Sequence, residues 1–248
     1  MPLSIFRLCL ALAAAAALAA CEAPQPQVSR PGAPVVQAEA MSGRLSPREA
    51  ASNFVSVAET MRPRIAQECA ERTHGQQNCN YRIVVDDRPA SAPNAFQTVD
   101  NSGNPVIAFN LPLIAEARNR DELAFVMGHE AAHHILGHLE SKTQDAAAGA
   151  MIMGVLAAAS GADPAAITQA QSMGADVGGR AYSKNYELAA DRLGTIIAWD
   201  AGYDPLRGAE FFARLSDPGD RFLGTHPANG ARMELVRQTV AELRAGRL

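Results

Sequence analysis

Residues 121–138 read DELAFVMGHEAAHHILGH, and this stretch decides the fold. Its apolar residues (Leu123, Phe125, Val126, Met127, Ile135 and Leu136) recur at helical spacing, and Asn119 and Asp121 are both N-cap types at its start. The reading is a long helix running to about Lys142. On a helix, positions i and i+4 share a face. His129 and His133 therefore stand one turn apart with Glu130 beside them. This is the H-E-x-x-H arrangement, in which two imidazoles hold Zn²⁺ and the Glu is general base for the metal-bound water. Two histidines could share a helix face by accident, but the helical flanks and an acidic pair downstream favour a metal site. His134 and His138 lie about 140° and 180° around the helix from His129. They are expected to pack or cap, His138 at the helix end, where a cation suits the dipole.

The 248-residue chain is 48% hydrophobic and 19% charged, with a formal net charge of −4. That suffices for one domain with a core plus tails. It carries no basic run and no basic–aromatic interleaving, so nucleic acid is not an expected partner. Residues 1–20 have Arg7 followed by a short apolar run, Leu8 to Ala20, as in a signal peptide. The run ends Leu18-Ala19-Ala20-Cys21, which resembles a bacterial lipobox with Cys21 as the lipidated residue. Glu22 follows, where an Asp often signals inner-membrane retention in enteric bacteria, so the outer membrane is favoured. Residues 21–45, with four prolines and few apolar side chains, read as a disordered tether. Export places Cys69 and Cys79 in an oxidising compartment, where they are expected to pair.

The domain is expected over residues 46–248. Ser46-Pro47-Arg48-Glu49 is a complete helix start. Ala50, Phe54, Val57, Ala58 and Met61 share one side of that helix, and Pro63 is expected to kink or restart it. Strands follow at residues 81–85, 95–99 and 105–109, the last two forming a hairpin around Asn101-Ser102-Gly103-Asn104. Residues 146–162 hold no charge. With residues 164–177 they read as an Ala/Gly-rich helical hairpin, about residues 145–179. A membrane-inserting arm is a lesser reading. So is a lid over the metal site, made mobile by Gly149, Gly154, Gly161, Gly174, Gly178 and Gly179. The fold class is α+β, mainly helical, with a small sheet.

A hydrolytic zinc site takes three protein ligands and leaves one position open. A third His six residues after His133 would fall at position 139, which is Leu139, so the ligand must come from further on. Glu187 and Asp191 are i and i+4 in YELAADRLGTIIAW, residues 186–199. They could be an exposed acidic face. Beside an H-E-x-x-H helix, the favoured reading is Glu187 as ligand and Asp191 as acceptor for the free ring N–H of a ligating histidine.

Three blocks together carry a resemblance: His129–His133; Glu187 with Asp191; and His226-Pro227 with Arg232. Asn94-Ala95-Phe96 before the helix and Ala201-Gly202-Tyr203-Asp204-Pro205 after the acidic pair extend it over about residues 50–248. The chain resembles the family of CAAX prenyl proteases, HtpX, Oma1-type proteases and bacterial periplasmic assembly proteases. That resemblance implies a zincin-like metallopeptidase domain of gluzincin type, with one Zn²⁺ on His129, His133 and Glu187. It implies Glu130 as catalytic base, His226 as a second catalytic residue near the oxyanion, Arg232 bracing that loop, and Asn94, Ala95 and Phe96 on a substrate-binding strand. The expected substrates are unfolded or misassembled envelope proteins, and the expected location is the periplasmic face of a membrane, through the N-terminal lipid. A chaperone for outer-membrane proteins with a latent or structural zinc is the alternative.

Overall fold

The computed structural model describes residues 44–89, 92–181, 183–214 and 227–248. Cys21, the tether to residue 43 and His226 lie outside them. Helix α1 spans Pro47–Thr73, followed by β1 (Arg82–Asp86), β2 (Ala95–Val99) and β3 (Pro105–Asn110). Then come α2 (Leu111–Glu116), α3 (Arg120–Ile135), α4 (His138–Ala159), α5 (Pro164–Ala181), α6 (Ser183–Asp200), α7 (Pro205–Arg214) and α8 (Asn229–Arg244). Helices dominate and one three-stranded sheet joins them, which is the mainly helical α+β class.

At the start of α1, Ser46 accepts from the Glu49 amide, and the Glu49 carboxylate reaches back to the Ser46 amide. The helix passes through Pro63 without ending. Proline removes one backbone donor, which orphans the carbonyl four residues earlier. Here Glu59 and Pro63 both face solvent, so water can take that carbonyl and the helix need not restart. Phe54, Val57, Met61, Ile65 and Cys69 form the buried stripe. His74, exposed and in the left-handed region at φ 51°, ends the helix.

Cys69 at the end of α1 is joined by a disulfide to Cys79 just before β1, with a Cα–Cα distance of 5.7 Å. The closed loop is short, so the stabilisation is about 2–3 kcal/mol. In the sheet, β3 is central, parallel to β1 and antiparallel to β2. β2 has one neighbour among the described residues, which leaves its other edge unpaired. At the end of β3, Asn110 accepts from the amides of Asn94 and Leu113, tying the root of β2 to the start of α2.

Ile107 and Phe109 of β3 meet the α1 stripe and Leu123, Phe125 and Met127 of α3 in one core. Each such fully buried side chain stabilises by about 1.5–3 kcal/mol. α3 is the spine of this core, and most of its residues are buried. Asn119, one of the two expected caps, accepts from the Glu122 amide at 3.0 Å. Glu122 is itself buried, where Arg214 of α7 neutralises it.

The expected helix to Lys142 is broken. α3 stops at Ile135, Gly137 adopts φ 67°, and α4 leaves in a new direction from His138. Glycine enters the left-handed region without the steric cost of a Cβ, so Leu136-Gly137 is a helix stop. His138 is therefore at the beginning of a helix and not at a C-terminal end. The dipole argument for its charge is reversed. The expected hairpin is α4 and α5, with the turn at Ser160-Gly161-Ala162 and the return arm reaching Ala181.

Candidate metal centre

Two helices build the site, α3 with His129, Glu130 and His133, and α6 with Glu187 and Asp191. Their separation is set by two glycines. A Cβ on Gly128 would fall 2.8 Å from the Gly194 carbonyl oxygen, and one on Gly194 would fall 2.7 Å from the His129 amide nitrogen. No side chain fits there. The helices cross almost backbone to backbone, and this contact brings Glu187 over the two histidines.

His129, His133 and Glu187 each present one ligand atom to a common point. The two Nε2 atoms are 3.1 Å apart, and the Glu187 oxygens lie 3.4 Å from each of them. Zinc takes imidazole and carboxylate donors at about 2.0–2.2 Å in a tetrahedron, whose edges are then about 3.3–3.6 Å. The donor set and its spacing therefore fit a zinc-sized ion, with the fourth corner left for solvent or substrate.

The partners behind these atoms fix which nitrogen faces the ion. His129 Nδ1 is 2.9 Å from Asp191 Oδ1, so it carries a proton and donates, which makes Nε2 the atom that can face an ion. Asp191 is fully buried and takes two 2.7 Å bonds from the Arg232 guanidinium. Burial raises the Asp191 pKa, but the Arg232 and His129 bonds outweigh it and the net shift is downward. Arg232 in turn lies 3.4 Å over the Phe212 ring. Arg232 thus grips Asp191. Its expected bracing of the His226 loop falls on residues outside those described.

Burial alone would lower the His129 pKa, but Asp191 and Glu187 reverse this and push it up to about 9. Among the described residues His133 has no carboxylate behind its Nδ1, and burial beside His129 drives its pKa down to about 2. Its Nδ1 meets His138 Nδ1 at 3.0 Å. One of the pair must donate. With His133 Nε2 turned to the ion, His133 Nδ1 is the donor and His138 the acceptor. Burial and the Lys142 charge lower His138 to about 4, which keeps it neutral for that role. Tyr186 stacks on the His138 ring at 4.7 Å. The sequence reading missed this role of His138. The signal was Gly137, which turns the chain back so that His138 faces the site.

Glu130 lines the same cavity, of about 230 Å³, with Ala95, Phe96, Gln97, His138, Leu139, Lys142 and the three ligand residues. Burial raises its pKa, the direction a general base operating near neutral pH needs. Of the expected substrate strand, Ala95 and Phe96 border the cavity, while the exposed Asn94 is tied through its backbone to Asn110. Lys142 Nζ lies 3.8 Å from Glu187, an unanticipated positive charge at the cavity wall.

Helical packing with an H-E-x-x-H helix, a carboxylate from a second helix and a bordering strand defines a metallopeptidase. The pattern of peptidase family M48 matches residues 58–240 of this chain. The chain belongs to that family. It is also 27% identical over 157 residues to a Vibrio cholerae serotype O1 protein named as a beta-barrel assembly-enhancing protease. The match takes in 56% of this chain but 32% of that relative, so this chain spans about a third of it.

Proposed function

We propose that this chain is a zinc-dependent endopeptidase acting on misfolded or unassembled proteins of the bacterial cell envelope. The observation that carries the chemistry is the triangle of His129, His133 and Glu187 donor atoms at 3.1–3.4 Å. A zinc ion held there would supply Lewis acidity, polarising a peptide carbonyl and acidifying water. Glu130 takes the proton of the attacking water and delivers it to the leaving amine, so one carboxylate serves both steps. Asp191 and Arg232 hold His129 in its tautomer, and His138 does so for His133. His226, carried over from the family pattern, would stabilise the oxyanion. The edge of β2 that is unpaired among the described residues lies beside the cavity and suits an extended peptide, which adds as a further strand through its main-chain hydrogen bonds. Unfolded segments expose such strands and folded ones do not. The envelope location rests on the Cys21 lipobox and on the relative's name.

The test is Glu130→Gln. The variant should bind one equivalent of zinc like the parent and lose about 10²–10⁴-fold in cleavage of an unfolded chain such as casein. Turnover within a factor of two of the parent would remove Glu130 from the mechanism. A zinc-loaded parent that cleaves neither casein nor an unfolded porin, but keeps the porin from aggregating, would favour the chaperone reading.

A further inference from the structure

Hairpin α4/α5 has its large apolar side chains on the outside. Met151, Ile152, Val155 and Leu156 are 69%, 60%, 63% and 59% exposed, and Met173 and Val177 across the hairpin are 56% and 49% exposed. The inside is glycine. A Cβ on Gly149 would run into the Gly174 carbonyl oxygen, and one on Gly178 into the Asp145 carbonyl oxygen. The arms touch backbone to backbone at Gly149, Gly174 and Gly178, which leaves little room between them for bulky side chains. From Ala146 to Ala175 the only charged residue is Asp163 at the turn. Its carboxylate is occupied by the amides of Ala165 and Ala166.

We propose that this hairpin is a membrane-contacting arm that dips into the surface of a lipid bilayer. An apolar patch on an otherwise polar surface marks a contact with protein or with membrane. Three observations select the bilayer. First, at about 100° per residue, Met151, Ile152, Val155 and Leu156 fan over about 140° of α4, while Met153 turns toward Gly174, and Met173 and Val177 continue the apolar face across α5. A partner helix or a second copy covers a stripe of about 100°, whereas hydrocarbon wets every side. Second, a 30-residue stretch with one internally bonded charge offers a protein partner little for polar specificity, and lipid asks for none. Third, Ala146–Ala159 of α4 is about 21 Å long, short of the roughly 30 Å hydrocarbon core, and no described helix is long and apolar enough to cross a membrane. The arm enters one leaflet and does not span.

The arm grows from the cavity rim, since Leu139 and Lys142 of α4 line it. A hairpin in the bilayer therefore holds the metal site beside the membrane, within reach of chains emerging at or leaving that surface. This last consequence rests on the peptidase reading, but the membrane contact itself does not.

The test uses the full chain carrying Trp199→Phe, with one tryptophan placed at Ile152 or Val155, or at the exposed Val55 on α1 as control. Vesicles of phosphatidylethanolamine and phosphatidylglycerol with brominated acyl chains are added. Fluorescence at 152 and 155 should shift blue and be quenched at least about twofold, with no quenching at 55. Quenching that is equal at all three positions, or absent at 152 and 155, overturns the proposal. So does a blue shift that depends on protein concentration without lipid, which would make the occupant a second copy. A second variant, Met151→Gln/Ile152→Gln/Val155→Gln/Leu156→Gln, should cleave soluble casein at the parent rate and lose most of any rate advantage on a vesicle-tethered unfolded substrate. Loss of cleavage in the parent would instead count against the peptidase reading and leave the quenching result standing.

Discussion

The metal centre and the hairpin are both pairs of helices drawn together by glycines, and they are otherwise opposites. Between α3 and α6, Gly128 and Gly194 permit a close crossing whose surroundings are ionisable and buried: His129, Glu187, Asp191 and Arg232. Between α4 and α5, Gly149 and Gly174 permit the same approach, and the side chains around it are apolar and exposed. Close packing therefore does not decide what a helix pair is for. In the core it brings Glu187 over His129 and His133, and the buried charges hold because each has a hydrogen-bonding partner. In the arm it lets two thin helices stand together without a core of their own, so their apolar residues remain free to contact something else.

The contrast breaks most sharply at Arg232. Arg232→Ala leaves Asp191 buried without its main counter-charge, which should cost about 3–5 kcal/mol in urea unfolding of the metal-loaded protein. Val155→Gln, an equally drastic change in polarity on the arm, should stay within about 0.5 kcal/mol because its side chain is already in solvent. An Arg232→Ala loss below 1 kcal/mol would mean that the buried pair contributes little and that His129 orients itself by other contacts.

The two glycine crossings sharpen the comparison. Gly194→Ala and Gly149→Ala each force a methyl group into backbone, and each should cost about 1–3 kcal/mol of local stability. Their readouts differ. Gly194→Ala pushes α6 off α3 and should weaken zinc affinity, measured by chelator competition. Gly149→Ala should leave that affinity unchanged and speed amide hydrogen exchange in α4 and α5 alone. If both variants changed zinc binding equally, the hairpin and the site would be one mechanical unit.

Much of this was legible in the sequence where a residue's role depends on its own helix. His129, Glu130 and His133 follow from i, i+4 spacing, as does the pairing of Glu187 with Asp191 on one face. The cap at Ser46 and the β2–β3 hairpin are equally local. What escaped was either tertiary or a matter of direction. The grip of Arg232 on Asp191 joins residues 41 positions apart, and no periodicity reports it. Gly128 and Gly194 look like mild helix weakeners until the two helices are seen to cross at them. Gly137 was overlooked as a stop because the apolar and histidine pattern continues past it. That single left-handed residue reassigns His138 from a distant face to a position behind His133. Of the two outcomes expected at Pro63, a kink or a restart, the restart does not occur, since a breaker is tolerated where water can reach the orphaned carbonyl.

The remaining predictions lie where the two regions meet. His138 stands at the root of α4, bonds His133 and stacks on Tyr186, whose hydroxyl donates to Asp145 at 2.6 Å. His138→Ala removes the acceptor that orients a ligand, and zinc affinity should fall about 10–100-fold, with the fold unchanged by circular dichroism. Tyr186→Phe keeps the ring against His138 and removes the hydroxyl that bonds Asp145. The expected cost is about 0.5–1.5 kcal/mol, read as faster exchange at the hairpin root, with zinc affinity unaltered. Should Tyr186→Phe weaken zinc binding as much as His138→Ala does, the hydroxyl would be transmitting the position of the arm to the ligand. A membrane-bound hairpin would then set the geometry of the site as well as its location.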